Sequence, residues 1–354
     1  MKRSNEDKDA PSRLEESHPS VVMASKLDLR YPADGPTRQL TFHLTPFTSL
    51  KFPISLVKAI WRARSAAAIF VSIPGSGELL LMTLAKAVYG RRITTIAFDL
   101  VMREPGSVSE RVFARIKRQF LSSIDLFLFI HRDTSGYERV YRIPRERCAY
   151  VPFKANNFDL APSIASTDDG YALALGTSQR DYDLLIDAVR DLPIKLKIIA
   201  PPARVAMHGA RFGSASLPSN VERIERTVDR IEWSELLARS RLVAIPILPG
   251  VLQPAGISVY LEAMILGKPV IITRGSSTEQ MLDDSLAVLV PPGDREALRA
   301  AITRLWNDPE LRSTLSENGK KYALSLGNNE RLLADLRSII QRQCGSSSSS
   351  GPRR

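Results

Sequence analysis

The stretch VLQPAGISVYLEAMILGKPVIITRG, residues 251–275, places residues suited to an anionic ligand at the spacing a helix would deliver. The apolar run RLVAIPIL (241–248) ends in the loop PGVLQPAG, and the periodicity beyond it predicts a helix beginning near Gly256. Ile257, Tyr260, Leu261, Met264 and Ile265 form its apolar stripe. Gly267 stops it where a positive φ is cheapest, and Pro269 blocks continuation. A helix start offers unpaired backbone N–H groups and the positive end of the dipole, which together suit a diphosphate. Ala255, Gly256, Ile257 and Ser258 supply those amides, and a glycine lets ligand oxygens come close to the backbone. Glu262 shares a face with Ser258 and lies about 9 Å along the axis from Gly256. That reach joins a bound diphosphate to a ribose hydroxyl. Without a ligand, the same residues make an ordinary α/β crossover with a surface glutamate.

Other places carry weaker chemical signals. Gly75, Ser76 and Gly77 sit between an apolar run and a helical pattern in IPGSGELLL, where they could cradle a phosphate of an acceptor. Tight strand–helix packing explains the same glycines. SERVFARIKRQFLSS (109–123) predicts an amphipathic helix with Val112, Ile116 and Phe120 on one side and Arg111, Arg115, Lys117 and Arg118 around it. Such a helix either rests on an acidic bilayer or turns its apolar side into the core. The four histidines, His18, His43, His131 and His208, are scattered without zinc-like spacing, so no metal site is expected. Two cysteines, Cys148 and Cys344, give no disulfide framework and make a reducing, cytoplasmic setting the expectation.

The elements that position these residues follow from the patterning. Apolar runs at 66–74, 93–101, 124–131, 171–177, 194–201, 241–248 and 286–292 alternate with amphipathic helical segments. That alternation predicts an α/β protein with two parallel sheets, each Rossmann-like, facing a central cleft. A length of 354 residues suits two such domains. The turn-rich break near 155–170 sets the expected division: a disordered leader over 1–26, a first domain over 27–155, and a second over 156–322. A helix over 323–343 and a flexible tail over 344–354 follow. Before residue 66 only LDLRY and LTFHL read as strands, so the first domain looks short. The net charge of +11 is concentrated: residues 51–118 hold twelve Lys/Arg against four acids. An anionic partner of the first half, or simply a solvated basic surface, accounts for this. Nucleic acid is disfavoured, because there is no reader motif and aromatics make up only 7%. No apolar run reaches the roughly 18 residues of a membrane span.

EAMILGKPVIITRGSSTEQML, followed by LAVLVPPGDREALRAAITRLWNDPELRSTLSENGKKYA, closely resembles the C-terminal domain of family-4 glycosyltransferases. The resemblance is specific over about 241–322 and looser over 141–200, where YRIPRERCAYVPFKANNFD and ALALGTSQRDYDLLIDAV match the interdomain segment and the first strand–helix unit. It implies the GT-B fold and a retaining, metal-independent transfer from a UDP- or GDP-linked sugar to a glycan, glycolipid or polysaccharide precursor, without a further cofactor. The alternative is a non-catalytic nucleotide-sugar binder or partner subunit. Of the family's two glutamates around the helix start, the second falls on Glu262 and is implied to hold the ribose. The first falls on Pro254, leaving Gln253 or the Ala255 and Gly256 amides to substitute. The family's diphosphate-binding lysine falls on Arg180, downstream of Gly176 and Thr177, while its arginine is not kept. Arg180 is then either a diphosphate ligand or a solvated residue at a helix start. A family histidine falls near Asp99, implying a catalytic role there, with a helix N-cap as the competing explanation.

Overall fold

Two six-stranded sheets, every pairing parallel, make up the computed structural model, which describes residues 20–23, 29, 41–44, 52–213 and 216–348. The first sheet contains β1 (Ser20–Met23), β2 (Thr41–Leu44), β3 (Ala66–Ser72), β4 (Thr94–Phe98), β5 (Leu126–Phe129) and β6 (Cys148–Tyr150), in the order β2-β1-β3-β4-β5-β6. The second contains β7 (Tyr171–Leu175), β8 (Lys195–Ile199), β9 (Val221–Ile224), β10 (Leu242–Ile245), β11 (Val270–Thr273) and β12 (Val288–Val290), in the order β12-β11-β10-β7-β8-β9. Parallel strands are buried on both faces, so β4, β7 and β10 read as unbroken apolar or Thr-containing runs without alternation. In the second sheet the chain runs outward from β7 to β9 and then returns to the other side of β7 as β10. That reversal opens a crevice at the carboxyl ends of β7 and β10, where ligands of such sheets bind.

The first sheet is as wide as the second, contrary to the expectation of a short first domain. Its strand β1 falls inside the stretch read as a disordered leader, with Val21, Val22 and Met23 fully buried between β2 and β3. Four residues are too few to show a period against polar surroundings. LTFHL supplies β2 as expected, whereas LDLRY lies outside the described residues apart from Leu29, which is buried. Helices α1 (Phe52–Ala63), α2 (Ser76–Tyr89), α3 (Val108–Leu121) and α4 (Ser135–Tyr141) cover one face of this sheet.

In the second domain α5 (Tyr182–Val189), α6 (Pro202–His208), α7 (Arg230–Arg239), α8 (Ile257–Ile265), α9 (Arg295–Asn307) and α10 (Pro309–Ser325) link and cover the strands. The last helix, α11 (Asn329–Ser348), starts after a break at Gly327 (φ 80°), six residues later than the sequence suggests. It returns to the first domain. Leu332, Leu336, Ile340 and Cys344 join an apolar cluster with Val21, Met23, Phe70 and Ile96, and Arg337 Nε donates to the Leu29 carbonyl at 2.9 Å. Cys344 is therefore a buried helix residue, not part of a polar tail. The same cluster includes Leu173, Ile245 and Tyr260, so one apolar core runs through both domains.

Candidate active site

Helix α8 begins where the sequence places it. Gly256 caps it with φ 101°, a conformation that disfavours any side chain, and a Cβ there would meet Ile245 Cγ2 at 3.1 Å. The expected one-sided stripe is not what holds the helix. Every residue from Val259 to Ile265 is buried, because α8 is enclosed by β10, β11, α7 and α10. Glu262 is consequently a buried carboxylate, only 5% exposed, and not the surface glutamate of an ordinary crossover. Its Oε1 accepts from Asn156 Nδ2 at 2.7 Å and its Oε2 from Trp233 Nε1 at 2.6 Å. Asn157 Nδ2 donates to its backbone carbonyl at 3.3 Å. Burial raises the Glu262 pKa, against the two side-chain hydrogen bonds, which favour the ionised form. Each carboxylate oxygen carries two acceptor positions, so the donors from Asn156 and Trp233 orient the group without exhausting it.

Across the crevice, β7 is followed by Gly176, whose φ of 89° again favours glycine. A Cβ at this position would stand 2.8 Å from Arg180 Nη2, so the glycine also makes room for that guanidinium. Arg180 is only 1% exposed, which rules out the solvated helix-start alternative. Its Nε donates to Leu175 O at 3.3 Å and its Nη1 to Ser178 O at 2.8 Å. No carboxylate of the described residues pairs with it within 4.0 Å. Instead of an exposed fork, it is a buried positive charge in the cleft wall. Its neighbour Asp181, not Arg180, caps α5 through the Leu184 N–H. Gln253 is also buried. Its Nε2 donates to Ser178 Oγ at 3.1 Å, while its Oε1 has no partner.

Asp99 projects from the end of β4 with φ 53°. It caps no helix, since the next one, α3, is capped by Ser107. Desolvation lifts its carboxyl from 3.8 to about 6. All these groups line one cleft of about 550 Å³: Asp99 from the first domain, and Gly176, Thr177, Arg180, Gln253, Ala255, Gly256, Ile257, Ser258 and Glu262 from the second. Thr227, Val228, Asp229, Arg230 and Trp233 line it too.

Gly75, Ser76 and Gly77 are not among its lining residues, which corrects their assignment to the acceptor. The start of α2 is already occupied, because the Gly75 N–H donates to Glu78 Oε2 at 3.1 Å. A carboxylate at the first turn takes the place a phosphate would need. Sequence reasoning missed Asn156, Asn157, Arg204 and His208, all of which also line the cleft or hold its helix. Asparagines in a turn-rich linker and an arginine and a histidine on a short helix give no periodic signal. Only their convergence on the cleft singles them out.

Residues 166–322 match the family model described as glycosyl transferases group 1. A curated relative, an uncharacterized glycosyltransferase of Methanocaldococcus jannaschii, is 29% identical over 176 residues, which is 49% of this chain and 48% of the relative. The chain thus spans about half the length of the curated relative it matches. Among solved structures, a glycosyltransferase from Rickettsia africae superposes with a TM-score of 0.63 at 10% identity, covering 95% of this chain and 100% of that one. HepE of Anabaena, solved with UDP and glucose, superposes at 0.59 and 15% identity, covering 85% and 86%. Sucrose-phosphate synthase of Thermosynechococcus elongatus gives 0.60 at 16% identity, covering 93% and 90%. At these identities the structures establish the fold alone. The second domain thus matches the glycosyl transferases group 1 model over residues 166–322, within a chain that carries the two-domain GT-B fold.

Proposed function

We propose that this protein transfers a sugar from a nucleoside diphosphate sugar to a glycan or lipid-linked acceptor, retaining anomeric configuration and without a metal ion. One observation carries this reading: the free N–H groups at the α8 start, the unpaired guanidinium of Arg180 and the oriented carboxylate of Glu262 line a single cleft between the domains. Glu262 takes the ribose hydroxyls. The amides of Gly256, Ile257 and Ser258 hold the diphosphate directly, with the buried charge of Arg180 behind it, whereas the Ala255 N–H expected to join them donates to Gln253 O at 2.7 Å. As the bond from the anomeric carbon to the diphosphate oxygen breaks, negative charge grows on that oxygen, where these groups stabilise it. The acceptor hydroxyl oxygen bonds to the same carbon on the face the diphosphate leaves, and its proton passes to the departing diphosphate oxygen. Gln253 Oε1, buried and unpartnered, is positioned to accept a donor-sugar hydroxyl where Pro254 supplies no carboxylate. Asp99 faces the same space from the acceptor domain. HepE, solved with UDP and glucose, supports a uridine nucleotide as the first donor to try.

The test is a calorimetric and thermal-shift titration with UDP, GDP and ADP on the native chain, Glu262→Ala and Arg180→Ala. One nucleotide should bind and raise the melting temperature by mass action. Glu262→Ala should weaken it about tenfold or more, the loss of a charge-assisted hydrogen bond worth roughly 1.5–3 kcal/mol. Turnover of the matching sugar nucleotide in the presence of EDTA then separates a metal-independent enzyme from a silent binder. Absence of binding by all three nucleotides would refute the donor-site reading.

A further inference from the structure

Helix α1 is apolar on two sides. Leu56, Ala59, Ile60 and Ala63 face the core, while Ile54, Val57 and Trp61, at the same helical spacing, are about 60% exposed or more, apart from Trp61 at 58%. On α3 the stripe of Val112, Ile116 and Phe120 divides: Phe120 packs partly buried against the core, while the other two are turned outward. Val108 is 70% exposed, Val112 55%, Phe113 65% and Ile116 49%, while Ala114 and Leu121 make the buried contact. Both helices flank α2 on one face of the first sheet, so their outer sides face the same way. An exposed apolar surface of this extent marks an interaction site.

Charge identifies the partner. Lys58, Arg64, Arg91, Arg92, Arg111 and Arg115 are exposed on or between these helices. Within α1, α2 and α3 only two acids oppose them. Helix α1 has none, and Glu78 of α2 and Glu110 of α3 are taken up by the backbone N–H groups of Gly75 and of Gly106 and Ser107 at their own helix starts. Apolar side chains interleaved with cations, with a tryptophan among them, suit the headgroup–acyl boundary of an anionic bilayer, whereas a protein partner of the same charge pattern would need an acidic apolar groove. The surface is also continuous with the reaction site. Beneath α3 a cavity of about 370 Å³, walled by Phe113 and Lys117, shares Val101, Ser178, His208 and Gln253 with the nucleotide cleft.

We propose that the α1–α3 face docks this protein on an anionic lipid bilayer, so that an acceptor held in the bilayer reaches the cleft through the cavity under α3. The docking stands on its own observations; its purpose rests on the glycosyltransferase reading.

The experiment is co-sedimentation of the full chain with vesicles of phosphatidylcholine, with and without phosphatidylglycerol, alongside tryptophan fluorescence. The chain should bind only the anionic vesicles and dissociate at high salt. The fluorescence should shift to the blue, and the shift should be absent from Trp61→Phe. Arg111→Ala and Arg115→Ala should each weaken binding roughly fivefold, and Val112→Ser with Ile116→Ser should weaken it further. Because all four side chains are exposed, melting temperatures should not change. Failure to bind anionic vesicles, equal binding to neutral ones, or indifference to these substitutions overturns the proposal. So does a concentration-dependent dimer abolished by the same substitutions, which assigns the face to a second copy of the chain. Nucleotide-induced stabilisation measured on the same samples reports separately on the donor site, so the two readings can fail independently.

Discussion

Glu262 illustrates what burial does to one side chain. The ionised form of a carboxylate placed in an apolar helix is favoured by its donors, with help here from the nearby charges of Lys154 and Arg230, so Trp233 and Asn156 belong to the site although neither is acidic or basic. Trp233→Phe keeps the ring and removes the Nε1 donor. Nucleotide affinity should drop severalfold while the fold is retained, and a pH titration of binding should show the Glu262 carboxyl pushed further up; unchanged affinity would make Trp233 structural only. Asp99 obeys the same physics with a different readout. Its carboxyl titrates at about 6 in the folded protein against 3.8 ordinarily, so its contribution to stability is intact below 3.8 and is lost as pH rises through 6. Asp99→Asn, which suits the positive φ, should therefore melt like the native protein at pH 3.5. Above pH 6.5 it should be more stable, by about 1–2 kcal/mol given partial exposure to the cleft. Chemical denaturation across that range measures it, and a constant difference at all pH values would contradict the assignment.

At the scale of elements, the anion site is a junction and not a helix by itself. The starts of α2 and α8 are alike in following a glycine, yet Glu78 accepts the Gly75 N–H at the first, while no side chain of the described residues caps the second. Gly256→Ala should destabilise the protein by about 2 kcal/mol, since alanine is strained at φ 101° and its Cβ presses on Ile245 and Ile272. It should also lower nucleotide affinity by shifting the amides. A variant with native stability and affinity would mean the left-handed turn is dispensable.

The whole molecule is held together by α11. It packs on β3 and β4 after the chain has completed the second domain, and its apolar residues share one cluster with both sheets. Leu336, fully buried there, should cost about 2–5 kcal/mol when changed to alanine. Calorimetry should give one unfolding transition for the native chain, and Leu336→Ala should separate it into two. A native chain that already melts in two steps would show that the shared cluster does not couple the domains.

Much of this was legible in the sequence for a physical reason. Buried parallel strands need continuous apolar runs, and a helix start at Gly256 needs the residues that stand there, so β3–β5, β7, β8, β10–β12 and α8 follow from local pattern. The strands β1, β6 and β9 do not, because SVVM, CAY and VERI are interrupted by or set among polar residues instead of forming a continuous apolar run, and they owe their conformation to their neighbours in the sheet. Local pattern also says which residues are chemically able to act, but not which way they face. That Arg180 is sealed inside, that Gly75 already binds its own glutamate, that Asn156 reaches Glu262 from 106 residues away and that Val112 and Ile116 of α3 look outward are all consequences of packing. The sequence determined two Rossmann-like halves and a helix able to hold a diphosphate. Tertiary structure decided which charges are buried, and therefore which remain to meet a ligand, because desolvation depends on what surrounds a group in space and not on its neighbours along the chain.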